Sequence, residues 1–223
     1  MSRPSRVLKL LFFILLVRPV VLIVLGLNII HRQKLPTKGP AIIVANHNSH
    51  LDTLVLMSVM PLRILHKIRP VAAADYFLKN RWRAWFSLNV MGIIPLARKG
   101  KVDRGTLFDG CRGALADGDI VILFPEGSRG EAEQMQPLKR GLYHLVAVEP
   151  HVPVVPVVMR GLGRALPKGD PILVPFNCDV VVGSPIHLRE GQKSAAFMAE
   201  IEHAFQSQMK ECLSWAETEE SEV

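Results

Sequence analysis

Four short runs of this chain are apolar at nearly every position: AIIVAN (41–46), DIVILF (119–124), VPVVPVVM (152–159) and CDVVVG (178–183). A strand with one face in water alternates apolar and polar residues, and these runs do not, so both of their faces must be covered. Helix-type stretches lie between and after them: LDTLVLMSVM (51–60), residues 76–91, DRGTLFDGCRGALAD (103–117) closing on Gly118, residues 139–149, and a last helix over 192–215. Shorter apolar runs at 70–74 and 93–97 read as further strands. The pattern predicts an α/β domain, a mixed sheet covered by helices. In such sheets, sites form where polar loops leave strand ends. Two loops qualify here, NHNSHLD (46–52) and PEGSRG (125–130), and each follows a strong strand.

The first thirty residues pose a separate problem. VLKLLFFILLVRPVVLIVLGLNII (7–30) is almost wholly apolar, interrupted by Lys9, Arg18, Pro19 and Asn28. A bilayer span needs about 20 apolar residues. Arg18-Pro19 divides this run into two pieces too short to cross alone, because proline breaks or kinks a helix and a central arginine is costly in lipid. The expectation is two short helices lying in or dipping into one leaflet, with a single kinked span and an ordinary helix packed on the domain as the alternatives. No small-x-small cleavage site follows, and basic residues flank both ends, so neither a cleaved leader nor an orientation is legible. The chain thus reads as membrane-associating apolar helices (1–34), an α/β domain (35–210) and an acidic tail (211–223) expected to be disordered.

That tail matters for the charge. It holds five glutamates and no Lys or Arg, so the excess of Lys and Arg over Asp and Glu, 27 against 20 for the whole chain, lies in the body. A basic body suits an anionic partner such as lipid headgroups or a phosphorylated substrate. Aromatic residues are only 6% of the chain and no basic run is interleaved with them, which argues against nucleic acid. Cys111, Cys178 and Cys212 are scattered without a CxxC pair, as expected in a reducing compartment and unlike a disulfide framework or a structural zinc site.

In the first polar loop, His47 and Asp52 would sit about 140° apart on an uninterrupted helix, so they meet only if the chain turns between them. An aspartate on one imidazole nitrogen would leave the other as a general base. Taken alone, a structural histidine and a helix-capping aspartate fit as well, and His47, His50 and Asp52 also spell HxxHxD, a spacing that matches none of the common zinc motifs. In the second loop, Gly127 allows close backbone approach, while Ser128 and Arg129 offer a hydroxyl and a forked cation, a set suited to a phosphate monoester. An exposed turn is the plain alternative. Arg98 and Lys99, ending MGIIPLARKG (91–100), are another anion contact or an ordinary basic strand end. No GxSxG elbow, Walker loop or dinucleotide glycine pattern occurs.

Taken jointly, NHxxxxD (46–52), G-x-x-P-x-x-R (92–98), FPEGSR (124–129) and VPVVPV (152–157) resemble the glycerolipid acyltransferases typified by 1-acylglycerol-3-phosphate O-acyltransferase, over roughly residues 35–185. The resemblance implies direct acyl transfer from a thioester of coenzyme A or acyl carrier protein, with no cofactor beyond that co-substrate and no metal. His47 would deprotonate the acceptor hydroxyl and Asp52 would orient His47. Arg98, Glu126, Gly127, Ser128 and Arg129 match positions that hold the acceptor's glycerol-phosphate part: the arginines on phosphate, Glu126 on a hydroxyl or orienting an arginine. Lys139-Arg140-Gly141 resembles the basic segment that trails the third motif. Leu96-Ala97 stands where many relatives carry an aromatic-acidic pair, which leaves the acceptor headgroup open. The implied partners are membrane lipids and the acyl donor, at a membrane, with the site facing a reducing, cytoplasmic compartment. The leading acceptor is 1-acylglycerol 3-phosphate, giving phosphatidic acid. Glycerol 3-phosphate, another lysophospholipid or a lyso-aminolipid would use the same chemistry, while a lipid-binding protein without catalysis and a metal-dependent hydrolase are the readings from other classes.

Overall fold

The structure, a computed structural model, describes residues 5–49, 51–77, 80–97, 106–128, 130, 134–165 and 177–213, without the side chains of residues 24, 76 and 77. Among these residues the strands are β1 (Gly26–Ile30), β2 (Ala41–Ala45), β3 (Ile68–Ala73), β4 (Ile94–Leu96), β5 (Ile120–Leu123), β6 (Val154–Arg160) and β7 (Asn177–Val182). They form one seven-stranded sheet in the order β1-β7-β6-β2-β5-β3-β4. Every neighbouring pair is parallel except β6 and β7, so the sheet is mixed. The helices are α1 (Arg6–Phe12), α2 (Arg18–Val24), α3 (Asp52–Val59), α4 (Ala74–Phe77), α5 (Arg81–Phe86), α6 (Asp109–Ala116), α7 (Gly141–Val146), α8 (Leu162–Ala165) and α9 (Ser194–Lys210).

The continuous apolar runs are explained by two cores. Ile43 of β2, Ile122 of β5 and Val157 of β6 point to one face, beneath α1, α2 and α3. Their neighbours Ile42, Val121 and Val158 point to the other, beneath α6, α7 and α9. Each strand residue therefore finds an apolar partner whichever way the pleat turns it. On the second face α9 supplies Phe197, Ile201 and Phe205, a stripe at four-residue spacing with all three fully buried. Helix α6 closes as its sequence suggests: Gly118 takes φ +72°, its N–H bonds to Leu115 O, and the next N–H bonds to Ala114 O. Of the stretch expected to be helical over 76–91, residues 76 and 77 end α4, and α5 starts at Arg81, where Asn80 caps the helix through Trp82 N–H, and runs into a π turn over Ser87–Met91. Most of the acidic tail, residues 214–223, lies outside the described residues.

The amino-terminal segment departs from expectation. Pro19 does not divide it: the helix runs from Arg6 to Val24 through a π turn at Phe13–Val17, where the Arg18 N–H reaches back five residues to Phe13 O. The extra residue in that turn relieves the point at which the proline ring would meet the preceding turn. Residues 26–30, read as helix, instead form edge strand β1 beside β7, with Asn28 Nδ2 donating to Asp179 Oδ1 at 3.0 Å. The chain turns extended at Leu25 (φ −102°, ψ 124°), and the β-branched Ile29-Ile30 pair suits a strand. Among the described residues no helix is long and apolar enough to cross a membrane.

The two cations that interrupt the apolar run point into the protein. Lys9 is fully buried, and its Nζ donates to Ile68 O at 2.6 Å and Met91 O at 3.0 Å. Arg18 donates to Ser58 O at 3.1 Å and Met60 O at 2.7 Å, satisfying carbonyls at the end of α3. Beside them Phe13, Val17, Val21 and Leu25, each at most 4% exposed, lay one stripe of the segment on the sheet. Each such burial contributes about 1.5–3 kcal/mol.

Burial pushes the Lys9 ammonium down to about 7, with Arg69 adding to the effect and Asp119 opposing it. Between that value and the ordinary 10.5, the unfolded chain holds a proton that the folded chain has released. Stability from this group therefore rises as pH rises through that window, and below it the desolvation cost is felt in full. Comparing melting of the native protein and Lys9→Met from pH 6 to 10, we expect the native protein to gain on the variant as pH rises. Parallel curves would show that Lys9 does not titrate in this window.

Candidate active site

The parallel pairing of β2 and β5 sets Val44 beside Leu123. Three residues beyond each lie His47 and Glu126, so the two polar loops leave the sheet side by side. Asn46 fixes the start of the first loop by bonding both ways to β6, its Nδ2 to Met159 O at 2.8 Å and its Oδ1 accepting from Met159 N at 2.7 Å. The chain then turns before α3, and Asp52, the first residue of that helix, reaches back. Its Oδ2 accepts from the N–H groups of Asn48 (2.7 Å) and Ser49 (2.8 Å) and lies 2.8 Å from His47 Nδ1. Backbone donors aimed at that oxygen make it an acceptor, so Nδ1 carries the proton and Nε2 is the basic nitrogen. Asp52 is 1% exposed and the His47 side chain 21%. The imidazole is also stacked on Phe124, ring centroids 4.2 Å apart and planes 23° from parallel.

The second loop closes against the first. Glu126, 1% exposed, accepts from His47 N–H through Oε1 at 2.8 Å and from Gln136 N–H through Oε2 at 3.0 Å. Burial pushes its carboxyl above the ordinary range, and those two amides pull it partly back. Gly130 N–H bonds to His47 O at 3.3 Å. Gly127 turns the chain at φ +74°, its N–H on Phe124 O. A Cβ there would stand 2.6 Å from Lys139 Nζ, so glycine lets that ammonium lie across the turn.

The loops thus place a carboxylate-oriented imidazole and a lysine ammonium at the carboxyl ends of adjacent parallel strands, an arrangement able to move a proton near a bound anion. The acyltransferase family model matches residues 26–160, more than half of the chain. The chain belongs to the acyltransferase family. It is 32% identical over 152 residues to human 1-acyl-sn-glycerol-3-phosphate acyltransferase alpha, covering 68% of this chain and 51% of that protein. It is 31% identical over 163 residues to the chloroplast 1-acyl-sn-glycerol-3-phosphate acyltransferase of Arabidopsis thaliana, covering 72% of this chain and 44% of that protein. The acyltransferase chain therefore spans about half the length of the curated relatives it matches. Its fold is similar to the crystal structure of the 1-acyl-sn-glycerophosphate acyltransferase PlsC of Thermotoga maritima, with TM-score 0.73 and 18% identity, over 93% of this chain and 82% of that one.

Of the site residues expected from this acyltransferase sequence, the structure brings His47, Asp52 and Glu126 together, with Gly127 at the turn and Ser128 exposed beside it. Arg98 and Arg129 lie outside the described residues, as does His50. Among the described residues no group of three His, Cys, Asp or Glu side chains is placed to hold a metal ion. Sequence reasoning missed Phe124 as a partner of the imidazole. Its place directly ahead of PEG was visible, but nothing in a one-dimensional pattern says which ring it faces.

Proposed function

We propose that this acyltransferase moves a fatty acyl group from acyl-CoA or acyl carrier protein to the free hydroxyl of a lysophospholipid, with 1-acylglycerol 3-phosphate as the leading acceptor and phosphatidic acid as product. The observation that carries the proposal is the 2.8 Å contact between His47 Nδ1 and buried Asp52 Oδ2. In the proposed reaction Nε2 takes the hydroxyl proton as the acceptor oxygen attacks the thioester carbonyl. The tetrahedral intermediate then breaks its C–S bond, and the departing thiolate takes the proton back from the imidazolium. Asp52 stabilises that transient positive charge. No acyl-enzyme forms and no metal is needed, so apart from the N–H bond that His47 makes and gives up, every bond made or broken belongs to the two substrates. Arg98 and Arg129 are proposed phosphate ligands, joined by Lys139, with Gly127 and Ser128 offering backbone and hydroxyl contacts. The names of the human and Arabidopsis relatives support the acceptor class. Glycerol 3-phosphate or a different lysolipid is the competing acceptor, because Leu96-Ala97 departs from the usual pair ahead of Arg98.

A panel of lysophosphatidate, glycerol 3-phosphate, other lysophospholipids and a lyso-aminolipid, each supplied with labelled acyl-CoA and with acyl carrier protein thioester, tests this reading. Label should move preferentially to lysophosphatidate. Transfer to none of them would end it.

The same reading places the protein at a membrane surface, reached laterally by its lipid substrates, with the site in a reducing compartment. The three cysteines, all buried and unbridged, are in keeping with that compartment. Opposite its packed stripe, the amino-terminal helix exposes Leu15 (70%), Leu22 (65%) and Ile23 (82%). Phe12 meets Phe86 edge to face at 5.0 Å, which continues this surface onto α5, where Trp82 and Trp85 are exposed beside Arg81 and Arg83. Apolar residues flanked by tryptophan and arginine suit the headgroup level of an anionic leaflet. Replacing Leu15, Leu22 and Ile23 together by serine removes roughly 2 kcal/mol of transfer free energy per site. The triple variant should melt near the native temperature but lose at least ~10-fold in sedimentation with anionic vesicles. Undiminished binding would remove this face from the docking surface.

A further inference from the structure

We propose that Phe124 and Glu126 form a socket that fixes the His47 imidazole, and that both act through His47 as positioning residues without touching the acceptor. This rests on the reading of His47 as the base. Glu126 is buried, and each of its oxygens accepts a backbone N–H from a different segment, His47 on one side and Gln136 on the other. It therefore ties the loop after β2 to the chain after β5 at the residue that carries the imidazole. Phe124, the residue directly after β5, supplies the second constraint by stacking on the ring and limiting its rotation. With Asp52 on Nδ1, backbone, ring plane and tautomer are each held by a separate partner. The third motif then serves two purposes along its length: its first residues brace the base, and its last ones are the proposed acceptor contacts.

The chemistry explains why a carboxylate is required at 126. Two N–H donors approach it, and an amide can offer an oxygen to only one; its own NH2 would face the other donor. Glu126→Gln should therefore release one side of the clamp at nearly constant volume. A misplacement of about 1 Å at a reacting group costs on the order of 100-fold in rate.

The test uses the full chain with lysophosphatidate and whichever thioester, acyl-CoA or acyl carrier protein, the native protein turns over. Glu126→Gln and Phe124→Leu should each lower kcat by roughly 10- to 100-fold, with the KM for lysophosphatidate within about 2-fold of native. Phe124→Tyr, which keeps the ring, should recover most of the turnover. In the His47→Ala background, Glu126→Gln should cost nothing further, because a residue acting through the imidazole has nothing left to position. A raised KM with native kcat, or a second full loss on top of His47→Ala, would overturn the proposal by making Glu126 a direct ligand. If Glu126→Gln fails to fold, the contrast between Phe124→Leu and Phe124→Tyr decides: equal losses overturn the socket. If instead His47→Ala keeps native turnover, the base assignment itself fails. Native-like Glu126→Gln beside a dead His47→Ala sinks the socket alone.

Discussion

His47→Ala should lower turnover at least ~100-fold and leave the fold intact. The imidazole is one of three donors to Asp52 Oδ2, and the N–H groups of Asn48 and Ser49 remain on that oxygen when it is gone. Its ring is partly exposed and covers Phe124, so the variant loses one stacking contact and gains no buried charge. Melting temperature should therefore move little, and sedimentation with vesicles should not change, because the apolar face of the amino-terminal helix is untouched. The informative comparison is rate against those two controls. A variant that is folded, vesicle-bound and catalytically silent assigns the proton transfer to this residue. One that is folded and active leaves the proton transfer to a group other than His47.

Asp52 tests the other half of the pair, and the choice of substitution decides what is learned. Asn can present its carbonyl oxygen where Oδ2 now sits and keep the bonds from Asn48, Ser49 and Nδ1. What it cannot supply is negative charge against an imidazolium. Asp52→Asn should therefore lose about 10³–10⁴ in kcat with stability close to native. Asp52→Ala should lose at least as much activity and also about 2 kcal/mol or more of stability, since two buried N–H groups are left without their acceptor. Thermal denaturation set beside single-turnover rates separates the two effects. Native-like turnover in Asp52→Asn would make this residue a cap for the loop and nothing else.

The parts of the molecule legible in the sequence are those where local pattern and tertiary demand coincide. DIVILF reads as a buried strand because Ile120 and Ile122 meet one helical layer while Val121 and Leu123 meet the other. Gly118 reads as a helix end because the closing turn needs its positive φ. Strand β1 was illegible because GLNII continues an apolar run, and only the pairing with β7 distinguishes it from more helix. Pro19 misled for a related reason: a proline's effect depends on the turn before it, and the π turn at Phe13–Val17 is not written in any single residue. At the site, the polar density of NHNSHLD singled out the loop, and the need for a turn between His47 and Asp52 followed from helix geometry. The orientation of Glu126 did not follow. A glutamate in a loop reads as a group facing ligand, and only the fold reveals that two backbone amides lie within its reach.

One feature of the amino terminus bears on how this protein can be handled. Its helix is bonded at Lys9 to Ile68 and Met91, near the β3–β4 edge of the sheet, and it runs on at Leu25 into β1 at the opposite edge. It is thus a diagonal brace as well as a greasy exterior. Trimming it away to obtain a detergent-free preparation would strip one core of its lid, and a cut reaching through β1 would also uncover the flank of β7. Solubilising variants should instead come from repainting the outward side chains while every inward one is kept.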